Sequence, residues 1–143
     1  MRIVDLHTHG FGKYDTRGGP GAVLKLAGLQ GKAGVSAILP TIYSAPIEEM
    51  RKAMEAVRQA QARGGTGPAR ILGVHLEGPF LSPLKCGALE KGSFITPSRR
   101  ALQGLVEGYE DLVKVITLAP ELPGATRVIE ECASLGMRVN MGH

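Results

Sequence analysis

Val35-Ser36-Ala37-Ile38-Leu39-Pro40, then the segment 46–63, then Arg70 to His75: this succession decides the fold. The first piece is a short apolar run that ends at a proline, the pattern of a buried strand. In the second, Ile47, Met50, Met54 and Val57 recur at helical spacing and make one apolar stripe, and Gly64-Gly65 ends it. The third is again strand-like. A helix between two strands returns the chain to the end it started from, so the two strands run parallel.

The same alternation continues in both directions. Arg2 to Leu6 reads as a strand and residues 21–32 as a helix with Val23, Leu26 and Ala27 on one face, although Gly28 lies inside it. Thr96-Pro97 reads as an N-cap with proline at the first helical position, opening a helix that turns Leu102, Leu105 and Val106 inward. Leu112 to Leu118 is a fourth strand. Residues 124–135 make a helix with Val128, Ile129, Cys132 and Leu135 inward and Gly136 just past its end, and Arg138 to Met141 is a fifth strand. An α/β fold with a parallel sheet follows, as one domain over residues 1–143. An open doubly wound sheet and a (β/α) barrel both fit, and both place chemistry at the carboxyl ends of the strands.

Composition narrows the function classes. The 143 residues are 43% hydrophobic and 21% charged, an ordinary globular balance. No apolar run approaches the ~20 residues of a membrane span, and the start of the chain leads almost at once into an apolar strand-like run without the basic region or cleavage site of a secretory signal. The expected location is the cytoplasm. The formal charge of +4 comes from 17 scattered Lys and Arg with no interleaved aromatics, which argues against nucleic acid as a partner. Cys86 and Cys132 form no CxxC pair.

The strand ends are where chemistry-bearing residues gather. His7-Thr8-His9-Gly10 follows the first strand, and residues two apart share a side, so both imidazoles can converge on one point. His75-Leu76-Glu77-Gly78-Pro79 closes the third strand, and Asn140-Met141-Gly142-His143 the fifth. Each motif has a plainer reading: two loop histidines, a hydrogen-bonded core His75, a Glu77 paired with lysine or arginine. All four histidines of the chain nevertheless fall at one rim with a carboxylate among them, and that grouping suits a divalent cation. No glycine-rich loop follows a strand and opens a helix; Gly64-Gly65-Thr66-Gly67 lies in the opposite order. No G-x-S-x-G elbow is present, and Cys86 has no paired base.

Asp-Leu-His-Thr-His-Gly (5–10), Gly-Val-His-Leu-Glu-Gly-Pro-Phe-Leu-Ser-Pro (73–83), Lys-Cys-Gly-Ala-Leu (85–89), Thr-Leu-Ala-Pro-Glu (117–121) and Met-Gly-His (141–143) resemble, in order and spacing, the N-acetylglucosamine-6-phosphate deacetylase family of the amidohydrolase superfamily. Gly34 to Thr41 resembles its second strand. The resemblance implies a partial (β/α)8 TIM-type barrel, about strands one to five with four helices. It implies hydrolysis of the amide of an N-acetyl amino-sugar phosphate, with release of acetate. By the same resemblance Glu77 is the central metal ligand, His143 the first of two later histidine ligands, and His7 and His9 the pair that holds a second metal in some members. One or two divalent ions are implied, zinc or iron, and Gly87 and Ala88 are implied to contact the sugar through their backbone. Cys86 stands where a lysine is common.

Family members are more than twice this length. Their β-sandwich segment, strands six to eight, second histidine ligand, phosphate-holding Arg and His, and general-base Asp have no counterpart within residues 1–143. A truncated chain inactive alone is therefore expected; the alternative is a non-catalytic metal-binding or assembly module. Half a barrel also predicts an uncovered face carrying Val4, Leu6 and Leu39, unpaired outer strands, and hence a homo-oligomer.

Overall fold

The computed structural model describes residues 2–64 and 69–143. Eight strands and four helices follow in chain order: β1 (Ile3–Thr8), β2 (Gly10–Phe11), β3 (Tyr14–Asp15), α1 (Pro20–Lys32), β4 (Val35–Tyr43), α2 (Ile47–Ala62), β5 (Arg70–Ile71), β6 (Val74–Glu77), α3 (Arg99–Val106), β7 (Val113–Leu118), α4 (Ala125–Ser134) and β8 (Arg138–Met141). The main sheet runs β1-β4-β6-β7-β8, every pair parallel, with β5 joined to β4 just ahead of β6. It curls into half of a TIM-type barrel. β2 and β3 form a small antiparallel hairpin of their own directly after β1.

The helices form one layer, α1 on α2, α2 on α3 and α3 on α4. Alternation along each strand decides what meets that layer. Ile42, Val74, Leu76, Ile116 and Leu118 pack there against Met50, Met54 and Val57 of α2, Leu102 and Leu105 of α3, and Val128 and Cys132 of α4. Ile38 packs separately with Leu26 and Ala27 of α1. The in-between residues, His75, Glu77 and Thr117, face the concave side.

The strand-helix order and most boundaries read from the sequence are borne out, with four corrections. The second strand does not stop at Pro40 but continues to Tyr43. Pro40 falls where the β1–β4 register slips, and the Thr8 amide beside it is taken by the Thr41 hydroxyl, so the missing proline N–H breaks no regular ladder. The third strand is split at Leu72-Gly73. Gly73 has φ +147°, and a Cβ there would lie 2.3 Å from the Leu112 carbonyl oxygen, so only glycine lets β6 approach that backbone. The third helix starts two residues later than Thr96-Pro97 suggests. Ser98 caps it, accepting from the Ala101 amide, because residues 95–97 are held extended: the Ile95 amide binds the Pro79 carbonyl and Gly124 sits against the Pro97 carbonyl. The hairpin β2–β3 is the fourth, an element not foreseen. Gly64, at φ +58°, follows the end of α2 as expected; Gly65, Thr66 and Gly67 lie outside the described residues.

β1 and β8 are the outer strands of the main sheet. Val4 and Leu6 are exposed as expected, but Leu39, on β4 between β1 and β6, is buried, and Leu135, expected inward, is exposed because it lies at the C-cap of α4.

Candidate metal centre

Four residues from three strand ends meet on the concave rim. Glu77 ends β6, and its side chain is buried; Gly78 (φ +89°) turns the chain away immediately after it. His9 Nε2 lies 2.8 Å from one Glu77 oxygen, Oε2. His143 Nε2 lies 3.2 Å and His7 Nε2 3.7 Å from the other, Oε1. His7 Nε2 and His9 Nε2 are 3.1 Å apart. So three imidazoles turn the same ring nitrogen toward one carboxylate.

These spacings can be tested against a cation. Two donors on one tetrahedral ion with bonds of ~2.0–2.1 Å sit about 3.3 Å apart. The four separations, 2.8 to 3.7 Å, bracket that value. Glu77 Oε2 is buried and has no hydrogen-bond donor in line with it, despite the nearness of His9. A buried carboxylate oxygen without a donor is costly, and a cation among the three nitrogens would meet that need. His7, His9 and Glu77 alone form a compact possible metal site, their ligand atoms all within 4.8 Å of one another.

The surroundings fix how the ligands point. The His143 ring is held between two acceptors, Nδ1 3.2 Å from the Lys85 carbonyl and Nε2 3.2 Å from Glu77 Oε1; with its proton on Nδ1, Nε2 would be free to bind a cation. The Ser82 amide in turn donates to the His143 carbonyl at 2.7 Å. His9 is pinned at its carbonyl by the Thr16 amide, and its ring stacks on Tyr43 of β4 with centroids 5.1 Å apart. The Tyr43 hydroxyl donates to Asp15 at the hairpin's end, and the Arg17 guanidinium lies 3.7 Å from the Tyr43 ring. The unforeseen hairpin thus braces His9.

His75 is not among the converging groups. It is buried, 2.9 Å from the Leu6 carbonyl through Nδ1 and 2.7 Å from the Thr117 hydroxyl through Nε2, the core histidine the sequence allowed for. Burial holds its pKa below the ordinary 6.5; the Leu6 bond opposes that and the neighbouring His7 adds to it. Glu77 meets no lysine or arginine among the described residues, so the ion-pair reading of that residue fails. Gly87 lies beside the centre: a Cβ on it would stand 3.5 Å from His143 Cε1. Ala88 follows in the same exposed turn. Sequence reasoning gave no site role to Thr41, Thr117, Tyr43 or the Lys85 carbonyl, although Thr41, Lys85 and Thr117 lie in the family-like stretches. For Thr117 the signal was its place on a strand whose neighbour carries His75; the others carry no local signal.

No protein-family model matches the chain. Among curated proteins, it is 33% identical over 141 residues to the N-acetylgalactosamine-6-phosphate deacetylase of Escherichia coli O157:H7, covering 98% of this chain and 37% of that protein. It is 37% identical over 112 residues to the N-acetylglucosamine-6-phosphate deacetylase of Bos taurus, covering 77% of this chain and 27% of that one. Among solved structures, a variant of the N-acetyl-D-glucosamine-6-phosphate deacetylase of Mycobacterium smegmatis in complex with N-acetyl-D-glucosamine-6-phosphate superposes with a TM-score of 0.89 at 28% identity, over 99% of this chain and 36% of that one. The deacetylase of Pasteurella multocida gives 0.87 at 26% identity, with the same shares. The chain spans about a third of the length of the relatives it matches, and over that third it belongs to the N-acetylglucosamine-6-phosphate deacetylase family.

Proposed function

We propose that the rim formed by His7, His9, Glu77 and His143 is the metal-binding part of a hydrolase that removes the acetyl group from an N-acetylhexosamine 6-phosphate. The observation that carries this reading is the convergence of three imidazole Nε2 atoms on a buried carboxylate with one unsatisfied oxygen. Glu77 holds the ion centrally, His143 binds beside it, and His7 with His9 complete the set or hold a second ion. Zinc and iron(II) both suit imidazole and carboxylate donors. Bound there, a divalent cation supplies Lewis acidity, which polarises an amide carbonyl and eases deprotonation of water.

The chain's own residues do the rest of what this part of the site requires. Lys85 and Ser82 orient His143, and Tyr43 with the hairpin orients His9. The loop at Gly87 and Ala88 offers backbone groups to the sugar. We assign the general-base Asp and the phosphate-holding groups to parts of the family's barrel outside residues 1–143, and infer that a polypeptide limited to these residues binds metal without turning over. We place the enzyme in the cytoplasm; for a polypeptide limited to these residues we infer a homo-oligomer, because apolar Val4 and Leu6 on its outer strand call for a cover.

The test is metal analysis after reconstitution with zinc or iron(II), together with acetate release from N-acetylglucosamine 6-phosphate and N-acetylgalactosamine 6-phosphate by the protein that carries these residues. Bound metal that is lost in Glu77→Gln, and acetate from either sugar, are expected. Metal without acetate release points instead to the non-catalytic module; no metal at all defeats the reading.

A further inference from the structure

We infer that His75 is a positioning residue of this centre: bonded between Thr117 and the Leu6 carbonyl, it fixes the slipped segment of β1 that aims His7 at Glu77. The inference rests on the proposed metal reading of the rim.

β1 is an outer strand with β4 as its one neighbour in the sheet. Its register slips where the chemistry begins. Asp5 pairs with Ile38 but Thr8 pairs with Pro40, so β1 advances three residues while β4 advances two. Leu6 and His7 occupy that slip. A slip of this kind re-aims a side chain and takes backbone groups out of the ladder, and those groups must find partners elsewhere. The His7 amide finds the Asp5 carboxylate at 3.0 Å. The Leu6 carbonyl finds His75.

His75 reaches it from an unexpected distance. It stands on β6, and β4 lies between β6 and β1. Its ring therefore crosses the concave face above β4 and bridges β1 to β7 through its two nitrogens. A carbonyl can only accept, so Nδ1 carries the proton, and Nε2 then accepts from the Thr117 hydroxyl. Both nitrogens being engaged, His75 is no ligand. Its ring instead meets His7 edge to face, with centroids 4.9 Å apart and planes at 77°. His75 thus holds His7 from two directions, through the backbone before it and through the ring itself. An apolar side chain of similar bulk would fill the space but leave the carbonyl at the slip unpaired.

The decisive experiment measures zinc affinity, by competition with a chromophoric chelator, for the protein carrying these residues and for His75→Leu, His75→Gln, Thr117→Val and Glu77→Gln. Thermal melting monitors folding, and ¹⁵N NMR of the imidazoles reads the tautomers. Zinc binding should fall by about tenfold or more in His75→Leu, within the 10–100-fold range of outer-shell partners. Gln carries a donor and an acceptor at its tip and should recover part of the loss, and Thr117→Val should lose a few-fold. In wild type His75 should be the Nδ1–H tautomer with and without zinc, while His7 and His9 shift on zinc addition. Zinc binding that Glu77→Gln abolishes but His75→Leu leaves within about twofold, or an Nε2–H tautomer, overturns this inference and spares the metal reading. Zinc binding absent, or indifferent to Glu77→Gln, overturns both. If His75→Leu does not fold, Thr117→Val decides, and an affinity within about twofold of wild type overturns the inference.

Discussion

The middle of the sheet and its two outer strands invert the usual rule of burial. On β4, β6 and β7 the concave side buries polar groups: Thr41 is fully enclosed, His75 is 1% and Glu77 5% exposed. On β1 and β8 apolar side chains stand in the open, Leu6 at 55% and Met141 at 77%. Polar burial without a partner is unfavourable, and exposed apolar clusters mark surfaces that pair with something. At the centre of the sheet the buried side-chain polar atoms have hydrogen-bond partners, Glu77 Oε2 alone excepted among the described residues. The outer strands leave apolar side chains uncovered.

The largest expected effect tests the centre. Glu77→Gln keeps the shape of the side chain but removes its charge, so bound metal should disappear. Acetate release by the complete enzyme should fall by about 10³-fold, the several kcal/mol that a Lewis acid contributes. Elemental analysis and an acetate assay check it, and retained metal would break the contrast between chemical centre and contact edge.

Stability comes next. Leu76 is fully buried between β6 and the helices, and Leu76→Ala should cost about 2–5 kcal/mol in denaturant unfolding. Val4→Ser, on the outer strand, should change stability by less than ~0.5 kcal/mol. Equal losses would show that β1 is already packed in solution. Replacing Val4 and Leu6 together by Lys sharpens the same point: sedimentation should shift toward smaller species, because charge on an outer strand opposes pairing. An unchanged sedimentation profile would remove β1 from any interface.

The smallest effect concerns Cys132, buried on α4, whose thiol is pushed up to about 11 by burial first and by Glu131 second. A raised pKa favours the protonated thiol in the fold. That contribution is complete below pH 9, where the unfolded thiol is also protonated, and is lost as pH rises to about 11. Stability measured across that interval should slope downward, and the slope should flatten in Cys132→Ala. An identical slope in both would assign it to other groups.

Much of this was legible in the sequence, for a physical reason. Strand-helix alternation and the stripe of Met50, Met54 and Val57 are local periodicities, and the placing of His7, His9, Glu77 and His143 at the ends of the first, third and fifth strands of the sheet follows from them. What was hidden depends on partners far along the chain. Pro40 stays in its strand because the Thr41 hydroxyl catches the Thr8 amide. Ser98 rather than Thr96 caps α3 because Pro79 and Gly124 hold the intervening residues extended. Leu39 is buried on a strand that has a neighbour on either side, a position no local pattern reveals. The register slip at Leu6-His7 leaves no mark in the Asp-Leu-His-Thr-His pattern, yet it sets the aim of the first imidazole.

The turn that follows β6 is fastened to the end of β8 at two points, the Ser82 amide on the His143 carbonyl and the Lys85 carbonyl on the His143 ring, with Gly87 lying against that ring. Loop and imidazole therefore share one mechanical frame. For anyone exchanging loops between relatives to alter sugar preference, the segment 82–88 is not an interchangeable cassette. A graft that changes its length or its glycine would also turn His143 about its own axis, and would have to bring along a compatible β8 terminus to keep the imidazole in register.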